Sequence, residues 1–131
     1  MFEELETGWA HRDLWVDNLL FHDSRLSAVL DFDRLQYDYP PLDVARAIIS
    51  CALDDSLKVS LVTAFINGYK EERSVEPGHV TKSLQLLWYM ESTWWINADM
   101  DRHSVPPARF AKEMNWLARN LKNLPEILGD L

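Results

Sequence analysis

Cysteine is almost absent from the sequence, since Cys51 is the single one in 131 residues. A chain with one cysteine forms no internal disulfide, which favours a cytoplasmic setting. Cys51 lies in an apolar stretch with Ile48, Ile49 and Leu53. We therefore expect a buried, unreactive thiol at this position.

Long apolar runs and excess positive charge are also missing. A membrane helix needs roughly 18–20 apolar residues, and Asp54, Asn67 and Glu91 interrupt the longest candidates. Thirteen basic against twenty-one acidic side chains give a net charge of −8. We therefore expect neither a membrane span nor a nucleic-acid partner. The charge suits a cationic small molecule, although a solvated acidic surface explains it equally well.

Glycine is scarce as well. The four glycines are Gly8, Gly68, Gly78 and Gly129. Their spacing excludes a G-x-G-x-x-G loop, the backbone feature that wraps nucleotide phosphates.

Hydrophobic residues are plentiful, at 47%, which is enough for one domain with its own core over residues 1–131. Residues 19–21 and 26–30 are typical of strands, and the turn-forming residues 22–25 between them predict a β-hairpin. From Pro41 the apolar spacing becomes helical. The sequence predicts a helical tail over 1–6 and helices over 41–53, 57–69, 80–98 and 110–121, the second capped by Asp55 or Ser56. The predicted fold is α+β, mainly α: a β-hairpin followed by a helical bundle.

The first third of the chain carries the chemistry. It contains His11-Arg12-Asp13-Leu14, then Asn18, then Asp31-Phe32-Asp33. Asp13, on a loop before a strand, is placed to orient an acceptor hydroxyl and take its proton. Asn18 and Asp31 offer an amide oxygen and a carboxylate, ligands that Mg²⁺ accepts beside nucleotide phosphates. Asp33 would face the same site, and could hold a second metal, if the segment stays extended.

Residues 11–33 resemble the catalytic segment of the aminoglycoside phosphotransferase and choline kinase families, small-molecule kinases of protein-kinase-like fold. The similarity continues into the segment Pro41-Leu42-Asp43-Val44-Ala45. The resemblance implies that Asp13 is the catalytic base, that Asn18 and Asp31 bind Mg²⁺, and that ATP is the co-substrate. It also implies that His11 and Asp43 brace the loop.

Departures from kinase patterns refine this expectation. Trp15 stands where protein kinases usually have lysine, and Asp31 is followed by Phe32-Asp33 in place of Phe-Gly. These features favour a small-molecule kinase. Arg12 occupies a position that is glycine in many antibiotic kinases. Because the glycine-rich loop is missing, the chain resembles a C-terminal lobe without its N-terminal nucleotide lobe, and we expect it to be inactive alone.

The expected activity is transfer of the γ-phosphoryl group to a hydroxyl of a sugar, aminoglycoside or amino alcohol. Glu91, on an otherwise apolar predicted helix, is a candidate contact for a substrate amine, with simple exposure on the helix edge as the alternative. The tryptophans at 88, 94 and 95 form either a cation–π cage or part of the core.

Two other functions compete with this interpretation. A kinase lobe without catalysis could serve as a binding module, or form a homodimer through the surface that the other lobe normally covers. A metal-dependent phosphohydrolase could use Asp31 and Asp33, although this leaves the His11–Asn18 pattern unexplained.

Overall fold

The computed structural model describes residues 5–95 and 108–131. The elements follow the order β1 (Gly8–Ala10), a 3₁₀-helix (Val16–Asn18), β2 (Leu19–His22), β3 (Arg25–Val29), β4 (Gln36–Asp38), α1 (Pro41–Ala52), α2 (Val59–Glu72), α3 (His79–Trp95), α4 (Ala108–Asn120) and α5 (Leu124–Leu128). The predicted α+β class, mainly α, is confirmed. Residues 1–4 of the predicted helical tail and residues 96–98 of the helix predicted over 80–98 lie outside the described residues, and Leu5 and Glu6 are not helical.

The predicted hairpin is formed by β2 and β3. These strands pair antiparallel from Leu19 opposite Val29 to His22 opposite Arg25, with an irregularity between Leu20 and Phe21. Asp23 and Ser24 form the turn with φ angles of 47° and 65°. Two successive positive φ angles are the requirement of the tight turn that matches strand twist in hairpins.

A second two-stranded sheet, β1 with β4, was not predicted. Gly8 pairs with Asp38 and Ala10 with Gln36. Each strand has only three residues, too few for an alternating pattern to be read. A Cβ atom at Gly8 would lie 3.3 Å from Cγ of Pro40, so glycine permits this close approach. The pairing brings the chain entering His11 beside the segment that precedes α1.

The helices begin close to their predicted positions, with one difference. Helix α1 begins at Pro41, which suits a first turn because proline lacks the amide hydrogen left unpaired there. Helix α2 begins at Val59 after Lys58, and no side chain caps it, so the predicted cap at Asp55 or Ser56 is wrong. Leu57 is buried and forms a bridge with Leu53, which keeps the chain extended past the predicted start.

The core lies among the helices, with α1 packed mainly on α3. Its fully buried members include Ile48, Ile49, Val62, Ile66, Val80, Leu84, Leu86, Leu117 and Leu124. Each buried aliphatic side chain of this size contributes about 1.5–3 kcal/mol relative to exposure. Cys51 is exposed, so the prediction of a buried thiol is wrong, because Ile48, Ile49 and Ala52 occupy the core side of α1.

The C-terminus closes the bundle onto the start of α3. The Gly78 amide donates to the carbonyl oxygen of Asp130 at 3.0 Å, and the Val80 amide donates to that of Leu131 at 2.9 Å. The first amides of a helix have no partner within it, so these carbonyls supply acceptors. Within the described residues, no helix has the length and apolar character needed to cross a membrane.

Leu84→Ala is expected to lower the free energy of unfolding by about 2–5 kcal/mol, because it leaves a cavity at a fully buried site. Leu61, 47% exposed on α2, provides the matched control. Leu61→Ala should cost far less in the same urea denaturation experiment. Equal losses for the two variants would contradict the assignment of Leu84 to the core.

Candidate active site

One carboxylate at the start of α1 holds the loop that contains Asp13. The His11 amide donates to Oδ2 of Asp43 at 2.7 Å, and the Arg12 amide donates to Oδ1 at 2.9 Å. Asp43 lies in the first turn of α1, where the positive end of the helix dipole favours a carboxylate. Both oxygens of one side chain therefore fix two successive backbone groups of the loop.

His11 connects this loop to the backbone beside Asp31. Its Nδ1 accepts from the Asp13 amide at 3.2 Å, which places the proton on Nε2, and Nε2 donates to the carbonyl oxygen of Leu30 at 2.8 Å. His11 is 6% exposed, and its ring meets the Phe32 ring edge-on at 4.8 Å between centroids. Both ring nitrogens are thus engaged within the protein.

Asp13 and Asn18 are in direct contact. Nδ2 of Asn18 donates to the backbone carbonyl of Asp13 at 2.8 Å and approaches its carboxylate Oδ2 at 3.2 Å. With the nitrogen directed at Asp13, the amide oxygen Oδ1 faces the other way. The short 3₁₀-helix Val16–Asn18 produces this contact by curling the chain back within five residues.

Asp31 is linked to Asn18 and His11 through the preceding residue, Leu30. The Leu30 amide donates to the carbonyl oxygen of Asn18 at 2.8 Å, while the Leu30 carbonyl receives His11. Asp31 and Asp33 are both exposed, and the Asp33 amide donates to Oδ1 of Asp31 at 3.3 Å. Asp31 has a φ of 61°, and Asp33 begins a turn. The segment is therefore not extended, contrary to the geometry assumed for Asp33.

Backbone strain occurs at two positions of the site. Arg12 has a φ of 71° and Asp31 a φ of 61°, a region that costs non-glycine residues of order 1–3 kcal/mol. Arg12 is held there by its amide bond to Asp43 and by an ion pair between its guanidinium and Asp38, both side chains being largely buried. The positive φ also gives a physical reason for the glycine that many antibiotic kinases have at this position.

A second anchor lies further along α1. The Val16 amide donates to Oγ of Ser50 at 2.7 Å, and Ser50 is 2% exposed. Between the two anchors, the guanidinium carbon of Arg46 lies 5.9 Å from the centre of the Trp15 ring. Three polar residues on one side of α1 therefore contact the loop from His11 to Val16.

Helix α4 supports this side of α1 through a buried carboxylate. Glu113, with a side chain 4% exposed, pairs with Arg46 at 3.2 Å and with Arg109 at 3.3 Å. Arg109 also donates to the Ser50 carbonyl. Burial raises the pKa of Glu113, and the two arginines oppose that shift. The effect of burial is the larger one, because the carboxylate is almost completely shielded from water.

Glu91 lies on α3 and is half-buried. Its contact with a substrate amine stays a prediction. Trp88 packs against the core, which supports the core interpretation for that ring. The side chains of residues 94 and 95 lie outside the described residues.

Sequence reasoning missed Asp38, Arg46 and Ser50. The last two had a readable signal, because with Asp43 they are polar residues at positions i, i+3 and i+7 of a helix that is otherwise largely apolar. No sequence signal indicated Asp38, since the β1–β4 pairing alone brings it to its partner Arg12.

Asp43→Ala is expected to lower the free energy of unfolding by about 2–4 kcal/mol, because two backbone donors lose a charged acceptor. Hydrogen exchange should quicken at the His11 and Arg12 amides. Asp55→Ala, at a fully exposed carboxylate, is the control and should leave both measurements unchanged. Protected amides at positions 11 and 12 in Asp43→Ala would contradict the proposed anchor.

Comparison with known proteins identifies the family of the chain. The family model of the phosphotransferase enzyme family (APH) matches residues 2–77. The chain is 34% identical over 76 residues to a homoserine kinase of Rhodopseudomonas palustris strain BisA53, covering 56% of this chain and 23% of that protein. It is 33% identical over 75 residues to a homoserine kinase of Nitrobacter winogradskyi, with the same coverages. The matched part of the chain thus spans under a quarter of these relatives. The family match extends over more than half of the chain, which therefore belongs to the phosphotransferase enzyme family.

Proposed function

We propose that the chain is the C-terminal lobe of an ATP-dependent small-molecule kinase and transfers the γ-phosphoryl group to a substrate hydroxyl. The observation that carries the proposal is the contact of Asn18 with Asp13, together with the hydrogen bonds that tie both segments to the residue before Asp31. Family membership supports phosphoryl transfer as the reaction class. In this proposal residues 1–131 form one domain.

Asp13 is assigned the role of base. Asp13 is partly exposed, which leaves it open to a substrate hydroxyl. The side-chain amide of Asn18 orients the Asp13 carboxylate by donating to its Oδ2, while Nδ1 of His11 accepts from the backbone amide of Asp13. A carboxylate fixed in this way can align the acceptor hydroxyl and accept its proton as the bond to phosphorus forms. His11 and Asp43 act on the reaction only by bracing the loop.

The residues present fit a magnesium ion held jointly with a nucleotide. Among the described residues, no three His, Cys, Asp or Glu side chains form a ready metal cluster. Mg²⁺ is usually held by one or two protein groups, with phosphate and water oxygens completing its shell. Asn18 and Asp31 would supply those groups, and Asp33 is a further candidate. When bound, the ion would neutralise charge on the transferring phosphoryl group.

ATP binding requires a part that this chain does not provide. The four glycines include no G-x-G-x-x-G, so the loop over the phosphates and its partner lysine would come from an N-terminal nucleotide lobe. We therefore propose that the 131-residue chain alone has negligible turnover. A protein that joins this chain to such a lobe would be cytoplasmic and would bind neither a membrane nor a nucleic acid.

The acceptor is proposed to be a small hydroxyl compound. Similarity to proteins named homoserine kinase makes hydroxylated amino acids the first class to test, before amino alcohols and sugars. An amine on the acceptor suits the net charge of −8. Glu91 remains the proposed contact for that amine.

In a protein that includes the nucleotide lobe, Asp13→Asn is expected to lower kcat by about 10²–10⁴-fold, because the amide cannot accept the proton. Asp17→Asn is the matched control, since it changes an exposed aspartate of the same segment. Its kcat should stay near that of the unaltered enzyme. The measurement is ATP turnover with homoserine and a panel of amino alcohols and sugars.

Near-normal turnover of a folded Asp13→Asn protein would remove Asp13 from the role of base. Robust phosphorylation by the 131-residue chain alone would refute the requirement for a second lobe. Circular dichroism of each variant separates loss of chemistry from loss of fold.

A second candidate function is supported by the distribution of exposed apolar residues. Most of the exposed large apolar side chains lie between residues 9 and 37, on and beside the small sheets: Trp9, Leu20, Phe21, Leu26, Leu30, Phe32, Leu35 and Tyr37. Such concentrations mark interaction surfaces. A non-catalytic lobe that binds a second copy through this surface would bury them.

If this surface forms a homodimer, Phe21→Ser should shift the chain towards monomer in sedimentation at micromolar concentration, because Phe21 is 61% exposed within it. Leu61→Ser, on the exposed side of α2, is the control and should leave the association unchanged. A monomer in the unaltered chain would count against the dimer.

A further inference from the structure

Three polar residues of α1 share one side of that helix. Asp43, Arg46 and Ser50 are separated by three and four residues, which is helical spacing. Seven residues separate the first from the last, a rise of about 10.5 Å along the axis. This distance lets one rigid element hold the loop at two separated points.

The second of these points acts on the helix that carries Asn18. The Val16 amide opens the 3₁₀-helix Val16–Asn18 and so has no acceptor within it. Ser50 provides that acceptor at 2.7 Å in a site almost closed to water. Because Asn18 ends the same single turn, a displacement of Val16 moves Asn18 as well.

Helix α4 holds Ser50 in turn. Arg109 donates to the Ser50 carbonyl, and Glu113 pairs with Arg109 and with Arg46. Arg46 and Glu113 form the buried part of this ion network, and a buried ion pair is weak evidence for stability, because apolar residues of similar volume often stabilise a core as well or better. The network contacts Arg46 and Ser50, the residues of α1 that contact the loop, so a role in positioning the loop explains it better than a role in stability.

We infer that Ser50 is a positioning residue that keeps Asn18 against Asp13, with Arg46, Arg109 and Glu113 as its support. The inference deepens the proposed function and rests on it for its consequence in catalysis. The contact itself concerns only this chain's own residues. Displacement of a reacting group by about 1 Å can cost about 10²-fold in rate, so a remote hydroxyl in this place has a large effect on the chemistry.

Ser50→Ala tests the inference, with Ser83→Ala as the matched control. Ser83 is also a fully buried serine within a helix, and its Oγ donates to the His79 carbonyl at 2.7 Å, within α3. Hydrogen exchange of the Val16 backbone amide and of the Asn18 side-chain amide is measured by NMR on the 131-residue chain. We expect both to exchange about tenfold faster in Ser50→Ala, because a buried donor loses its acceptor. Ser83→Ala should leave them unchanged.

Ser50→Cys keeps the shape of the side chain with a slightly larger atom and offers a weaker acceptor, so it should give an intermediate effect if Ser50→Ala fails to fold. Unchanged exchange at Asn18 in a folded Ser50 variant would overturn the inference, as would an equal effect of Ser83→Ala. Acceleration at Val16 alone would also overturn it, because the hydroxyl would then stabilise the turn without holding Asn18.

A titration of the same samples with Mn²⁺ separates this inference from the proposed function. Paramagnetic broadening at Asn18 and Asp31 in the unaltered chain is expected if these residues bind the metal. Exchange at Asn18 decides the role of Ser50 in either case, whereas turnover of the Asp13→Asn variant in a protein that includes the nucleotide lobe tests the proposed function.

Discussion

The candidate site depends on one carboxylate that binds two neighbouring amides. Asp43 accepts from His11 and Arg12 with separate oxygens, and this bidentate contact determines the path of the chain into Asp13. Arg12 adopts a left-handed backbone conformation to satisfy it. The cost of that conformation is tolerable because the ion pair with Asp38 restrains the same residue. Without Asp43, the backbone amides of His11 and Arg12 would lose their hydrogen bonds to α1, and the loop would be held to that helix only further along, at Trp15 and Val16.

Helix α1 therefore contacts both the hydrophobic core and the loop that contains Asp13. Ile48, Ile49 and Ala52 lie in the core that α1 shares with α3, while Asp43 and Ser50 bind the loop. Packing makes the helix rigid, and its rigidity keeps the two anchors at a constant separation. Preorganisation of the loop thus derives from the core, although none of the core side chains contacts it through a hydrogen bond.

The helices and the small sheets differ in how much of their apolar surface is buried. The helices enclose nearly all of the core, whereas aromatic residues such as Trp9, Phe21 and Tyr37 remain exposed on the small sheets. Trp9 and Tyr37 contact one another edge-on at 5.6 Å between centroids, which removes only part of their surface from water. The two candidate functions differ in what covers this region: a nucleotide lobe in the kinase, a second copy in the dimer.

Local sequence determined the hairpin, the approximate positions of the helices and the residues of the candidate site between His11 and Asp33, because turn chemistry, apolar periodicity and motif spacing act over a few residues. Tertiary structure alone decided the β1–β4 pairing, the exposure of Cys51 and the contact of Ser50 with Val16. Periodicity shows that a helix has an apolar side. It carries no information about which distant loop will meet the other side, since that contact forms only when segments remote in sequence pack together.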